Sequence, residues 1–181
     1  IGTENISRSI GLIGQLSYSY DNRYSVDFNY SGEASSRYAK HELVPFWSVG
    51  GRWNAHNEKW LSGYVSNLVL RGSYGVTGEQ NFSPSDAIEY YSYSETMRPY
   101  QSFPVLGAML LGLNNTELGW AKTHNTSFAV DFGLWKNRIN VSFNYYNNIT
   151  KELLTSYVLA PSTGYSTMVM NAGELQNRGF D

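Results

Sequence analysis

The chain has 181 residues and a formal net charge of −2, with 15% charged and 15% aromatic residues. Charge this sparse, against roughly 25% in ordinary soluble domains, and the lack of any Lys/Arg cluster exclude a nucleic-acid partner and binding to anionic lipid through a basic patch. There is no Cys and no apolar run of helix-spanning length, which removes disulfides, thiolate metal sites and a transmembrane helix.

Ile10, Leu12, Gly14, Leu16, Tyr18 and Tyr20 alternate with Gly11, Ile13, Gln15, Ser17 and Ser19. A period of two marks a strand with one apolar and one polar face, and only Ile13 spoils the polar one. Asp21-Asn22 supplies hairpin chemistry, and Tyr24, Val26, Phe28 and Tyr30 resume the alternation against Ser25, Asp27 and Asn29. Residues 32–43 read as a polar connection. A third strand over residues 44–54 sets Trp47, Val49, Gly51 and Trp53 against Phe46, Ser48, Gly50 and Arg52. Pro45, with no N–H to donate, belongs at its start. After a modest turn over residues 55–63, a fourth strand carries Leu68, Leu70, Gly72, Tyr74 and Val76 on the apolar side, with Arg71 and Ser73 on the other. Gly75 and Gly78 read as the conformational freedom of a strand end.

Residues 77–121 show no regular pattern, and a loop of that length usually marks function. Tyr90, Tyr91, Tyr93, Arg98 and Tyr100 in it are the candidate substrate contacts, since aromatic faces stack on sugar rings and pack against peptide side chains. A fifth strand over residues 124–135 and a sixth from Arg138 to Tyr146 flank a tight Lys136-Asn137 turn. Residues 151–167 form another loop, and a seventh strand runs from Met168 to Asp181.

Turns near residues 21, 55–63 and 136 fall at one end of this meander, and the connections 32–43, 77–121 and 151–167 fall at the other. Short turns at one end, long loops at the other and strands of about ten residues, twice the soluble average of about five, are the layout of an outer-membrane β-barrel. The tyrosines Tyr18, Tyr20 and Tyr24 around the first turn suit an aromatic girdle.

Several spaced stretches resemble one family. L-R-G-S-Y-G-V-T-G-E-Q-N from Leu70 resembles the strand-to-loop signature of SusC/RagA-type TonB-dependent transporters of the Bacteroidetes outer membrane, and S-S-R-Y from Ser35 and V-P-F-W-S-V-G-G-R-W from Val44 are similar to motifs of the same family. G-L-N-N-T-E-L-G-W-A-K-T from Gly112, the hairpin D-F-G-L-W-K-N-R-I-N-V from Asp131 and N-A-G-E-L-Q-N-R-G-F-D from Asn171 extend the resemblance over nearly the whole chain. Glu79 stands where the family often has Asn, Ala121 where it often has an acid, and Gly32-Glu33-Ala34 replaces a more usual Asp-Gly. The resemblance implies an all-β fold, an antiparallel meander of about seven long strands forming part of a transmembrane barrel of about 22 strands. It also implies a place in the bacterial outer membrane among its lipids. Import of oligosaccharides or peptides, a SusD-like surface lipoprotein as partner, and coupling through TonB complete the expectation. Residues 1–181 read as a partial barrel domain, without the family's plug, its TonB-contacting segment or its closing C-terminal strand.

No enzyme is expected, with no catalytic residues, no metal and no cofactor. His41, His56 and His124 lack ligand spacing, and pairs such as Glu33 with Glu42 or Glu89 with Glu95 arise in any chain with fifteen acids. Gly75-Val76-Thr77-Gly78 is not a phosphate cradle, because no helix follows. The alternative from another class is a soluble β-sandwich carbohydrate-binding module, in which the same alternation would bury one face against a second sheet.

Overall fold

In a computed structural model, residues 8–36, 38, 42–61, 65–79, 91–96, 105–110, 112–135 and 138–181 are described. The strands are β1 (Ser9–Tyr20), β2 (Tyr24–Ser35), β3 (Val44–Asn54), β4 (Asn67–Glu79), β5 (Tyr91–Thr96), β6 (Val105–Leu110), β7 (Ala121–Leu134), β8 (Ile139–Val158) and β9 (Thr167–Phe180). Seven of them form one antiparallel sheet in the order β1-β2-β3-β4-β7-β8-β9, and β5 and β6 pair as a separate ribbon. The fold class is therefore all-β, a seven-stranded antiparallel meander that is not closed on itself.

The alternation read along each strand becomes two faces once the strands are in register. One row runs Tyr18, Val26, Gly51, Gly72, Phe128, Tyr145 and Phe180 across all seven strands. The next row toward the long-loop end, on the opposite face, runs Ser17, Asp27, Gly50, Ser73, Ser127, Tyr146 and Gly179. The apolar face has no second sheet upon it among the described residues, and Leu16, Phe128 and Val141 are 70%, 44% and 54% exposed. A sandwich would have buried these side chains, so the soluble two-layer alternative is not formed. The polar face is wired by short cross-strand contacts: Ser73 to Ser127 at 2.7 Å, the Arg71 guanidinium donating to Asp131 at 2.7 Å, and Ser142 donating to the other Asp131 oxygen. This is a wall with a hydrocarbon side and a wet side.

The short-turn end is locked by side chains. Asp21 and Asn22 both take positive φ, 50° and 52°, which Asp and Asn tolerate better than most residues. The turn after β3 begins with a single 3-10 turn, Ala55–Asn57. It brings the Glu58 carboxylate under the first hairpin, where it accepts from the Tyr24 hydroxyl at 2.6 Å and from Trp53 Nε1 and Arg23 at 3.4 Å each. Tyr24 and Trp53 stack with centroids 6.4 Å apart. The Tyr24 hydrogen bond, with smaller help from Trp53 and Arg23, holds the Glu58 carboxyl below the usual carboxylate range, against the opposing effect of burial. Because the folded pKa is depressed, the stabilisation is present in full above the ordinary value of 4.5 and is lost as pH falls through the lower folded value. In the full-length protein, Glu58→Gln is therefore expected to lower thermal stability at neutral pH, with the gap to the wild type closing below about pH 4. A gap that stays constant down to pH 3 would remove the carboxylate from this account.

Four local expectations are corrected. β2 continues through Gly32 to Ser35, because Gly32 to Ser35 pair with Ser9 to Leu12. The turn at the end of β7 begins at Trp135, which has φ 50°, and Leu134 with Ile139 is the last pair before it; it spans four residues, not two. β8 does not stop near Tyr146 but runs for 20 residues, passing an irregularity between Thr150 and Leu153 where Glu152 takes φ 57°. A bulge lets a long strand bend and go on pairing. Finally, residues 77–121 are not patternless: β4 extends to Glu79, and the ribbon of β5 and β6 lies inside the segment.

Candidate functional site at the long-loop rim

Among the described residues, a buried hydrophobic cluster lies at the long-loop end, above the bare wall. Tyr38, Phe46, Leu118 and Trp120 form a buried cluster, with Val44, Val76, Leu154 and Val169 packed against it. Trp120 stacks on Tyr38 at 5.2 Å between centroids and meets Phe46 edge-on at 5.3 Å, both favourable arrangements of ring quadrupoles. Leu118 is 1% exposed. These residues come from separate connections, so the cluster fuses residue 38, the start of β3, the approach to β7 and the tips of β8 and β9 into one block.

Gly75 and Gly78 of β4 belong to this block for a steric reason. A Cβ on Gly78 would overlap the Phe46 ring, and one on Gly75 would lie 2.6 Å from the Cβ of Ser48. Among the described glycines only Gly164 has positive φ. Gly75 and Gly78 are thus not the loosened end of a strand, as the sequence suggests; they let β3 and its aromatic ring approach β4 closely. The stretches from Val44 and from Leu70 are two sides of one contact.

Backbone polarity is satisfied by two asparagines. Asn171 on β9 donates its amide to the Gly119 carbonyl at 2.9 Å and to the Glu152 carbonyl at 2.8 Å, while its side-chain oxygen accepts from the Gly119 N–H at 2.9 Å. Asn115 donates to the Val169 carbonyl at 3.1 Å. One amide therefore ties the chain re-entering before β7 to the bulge of β8, whose displaced carbonyl would otherwise lack a strand partner. Glu79 pairs directly across from Ala121, so two of the places where the sequence departs from the family pattern are cross-strand neighbours.

Of the predicted substrate contacts, Tyr91 and Tyr93 lie on β5, with Leu110 and Ala108 as their backbone partners on β6. Tyr90, Arg98 and Tyr100 lie outside the described residues. The rim cluster itself was not anticipated. Its signals in the sequence are Gly119-Trp120 and Asn171 inside the motifs, and Tyr38 in a connection that otherwise reads as polar. No group of three His, Asp or Glu side chains able to hold a metal occurs among the described residues, and His56 sits in the turn with Nδ1 3.2 Å from the Leu68 carbonyl.

A wall with one bare apolar face, one polar face and its long connections knotted at a single end is a section of an outer-membrane β-barrel. Comparison with known proteins narrows this. The chain is 29% identical over 180 residues to TonB-dependent receptor P3 of Formosa agariphila, covering 98% of this chain and 18% of that one. It is 29% identical over 181 residues to TonB-dependent receptor SusC of Bacteroides thetaiotaomicron, covering 95% of this chain and 18% of SusC. Among solved structures, the RagAB peptide importer in its closed-closed state matches with a TM-score of 0.84 at 23% identity, over 96% of this chain and 19% of that one. The RagAB peptide transporter matches at a TM-score of 0.83 and 22% identity. No family model matches the chain. The resemblance to SusC/RagA-type TonB-dependent transporters thus holds from the individual motifs to the whole chain and to its fold, and the wall is one of the bacterial outer membrane. The chain spans 18% of the length of these receptors.

Proposed function

We propose that this chain is the barrel section of a TonB-dependent importer that takes oligosaccharides or peptides across the outer membrane, not an enzyme. A SusD-like surface lipoprotein serves as its partner at the long-loop end, and TonB acts on a part of the transporter outside residues 1–181. The observation that carries the reading is the rim block. The strand neighbours β4 and β7 bracket the long segment between Glu79 and Ala121, and the aromatic cluster clamps its re-entry. A segment held at its root but long beyond it suits a mouth that must grip bulky cargo. Tyr90, Tyr91, Tyr93, Arg98 and Tyr100 are the proposed cargo contacts. In this orientation the connections 36–43, 80–120 and 159–166 lie outside the cell, and the turns at Asp21, His56 and Asn137 face the periplasm.

Two measurements on the full-length transporter test this. A tag inserted at Ser85 should be labelled on intact cells and one at Asn137 should not. Uptake of the cognate oligosaccharide or peptide should stop when TonB is removed. Labelling only at Asn137 inverts the topology, and uptake indifferent to TonB removes the transport reading.

A further inference from the structure

Gly51 and Gly72 raise a question that the chain itself does not answer. Glycine weakens a strand interior and there usually marks a close approach by something else. For Gly75, Gly78, Gly173 and Gly179 the structure supplies that something: an added Cβ would press on Ser48, Phe46, Leu153 or Tyr146. At Gly51 an added Cβ would meet nothing within 4 Å, and at Gly72 only ordinary contacts at 4.0 Å. The fold has room for larger side chains at both positions and does not have them.

The two glycines are direct cross-strand partners on the apolar face, in the middle of the row that runs from Tyr18 to Phe180. Their missing side chains leave a shallow, open trough of about 320 Å³ between Val26 and Phe128, floored by backbone and bordered toward the short-turn end by Trp53 and Leu70. Trp53 is held there by its stack on Tyr24 and its bond to Glu58. All four strands that form the trough lie inside the sheet, so no further strand of the barrel can fill it. Its lining is almost wholly apolar, and it opens on the side that meets hydrocarbon. A second copy of the chain would need roughly 800 Å² per partner for a stable contact, far more than a depression lined by ten residues of four strands offers. A single flexible hydrocarbon chain needs only the trough.

We propose that the Gly51–Gly72 trough is a binding slot for one acyl chain of a glycerophospholipid. Gly51 lies three residues from the end of β3, about 10 Å along the strand at 3.3 Å per residue. The slot is therefore in the half of the membrane next to the short turns, and its assignment to the phospholipid-bearing periplasmic leaflet rests on the topology proposed above. Val26 and Phe128 grip the chain from the sides, and Trp53 at the lower lip lies toward the headgroup zone, where aromatic rings are favoured.

The test is native mass spectrometry of the full-length transporter extracted in mild detergent, with phosphatidylethanolamine and lipopolysaccharide as added probes. The wild type should retain one phosphatidylethanolamine that Gly72→Leu and Gly51→Val lose by tenfold or more in occupancy, while Gly14→Leu, on the same face outside the trough, keeps it. An added Cβ meets no atom closer than 4.0 Å at any of these sites, and folding of each variant is checked by the heat-shift of the barrel on a gel. Loss of lipopolysaccharide in place of phosphatidylethanolamine would overturn the leaflet and, with an inverted Ser85/Asn137 labelling pattern, would trace the failure to the topology. Equal retention in all variants, or a dimer that disappears in Gly72→Leu, would overturn the slot itself.

Discussion

Trp120→Ala is expected to lower the stability of the assembled full-length barrel by about 3–5 kcal/mol, the usual cost of emptying a buried aromatic site. Trp120 is 7% exposed and touches one ring from the connection before β3 and one from β3 itself, so its removal unpins Tyr38 and Phe46 together. Trp120→Phe, which keeps a ring in the site, should cost well under half as much. The measurement is the temperature at which the folded barrel converts to the unfolded form on a gel, with proteolysis of whole cells reporting the residues between Glu79 and Gly112. If Trp120→Ala melts with the wild type while proteolysis is unchanged, the rim block does not anchor that segment. Asn171→Ala checks the polar half of the same block, since it leaves the backbone groups of Gly119 and Glu152 without their side-chain partner.

Leu70→Arg is expected to have the second large effect, about 2–4 kcal/mol if the side chain lies at mid-depth in hydrocarbon. Leu70 sits between Trp53 and Val130 in the apolar rows of the sheet. Ser73 faces the other way, across from Gly50 and Ser127, and Ser73→Arg should assemble nearly as well as the wild type because a wet wall already holds Arg52 and Arg71. Outer-membrane yield and heat stability of the two variants give the comparison. Nitroxide labels at 68, 70, 72 and 74 should then report lipid, and labels at 69, 71 and 73 should not. Protein-packed, dry labels at the even positions would contradict a hydrocarbon-facing wall.

The resemblance that carried the functional reading rested on stretches whose joint purpose the sequence does not display. The motif from Val44 and the motif from Leu70 are 26 positions apart between those residues, and nothing local says that Phe46 must lie on Gly78. Gly75 and Gly78 of β4 are legible in the sequence as special but not for the right reason, since a glycine that permits an unusual φ and a glycine that permits close approach look the same in one dimension. Tyr91-Ser92-Tyr93-Ser94 does alternate, yet β6 is a continuous apolar run, Val105-Leu106-Gly107-Ala108-Met109-Leu110, with no period to pair it by. The ribbon is for that reason not legible in the sequence.

What the sequence determined by itself is the wall: which residues face hydrocarbon and which face water, where β1 and β3 run, and at which end the long connections lie. Those properties follow from a side-chain period of two and from turn chemistry, which act between residues a few positions apart and so are written locally. What only the tertiary structure decided is everything that depends on neighbouring strands: the continuation of β8 through its bulge, the rim block of Tyr38, Phe46, Leu118 and Trp120, the clamp made by Asn171, and the pairing of Gly51 with Gly72 into a trough. These depend on register, and register is set where distant segments meet, by steric fit and by backbone groups that must find partners.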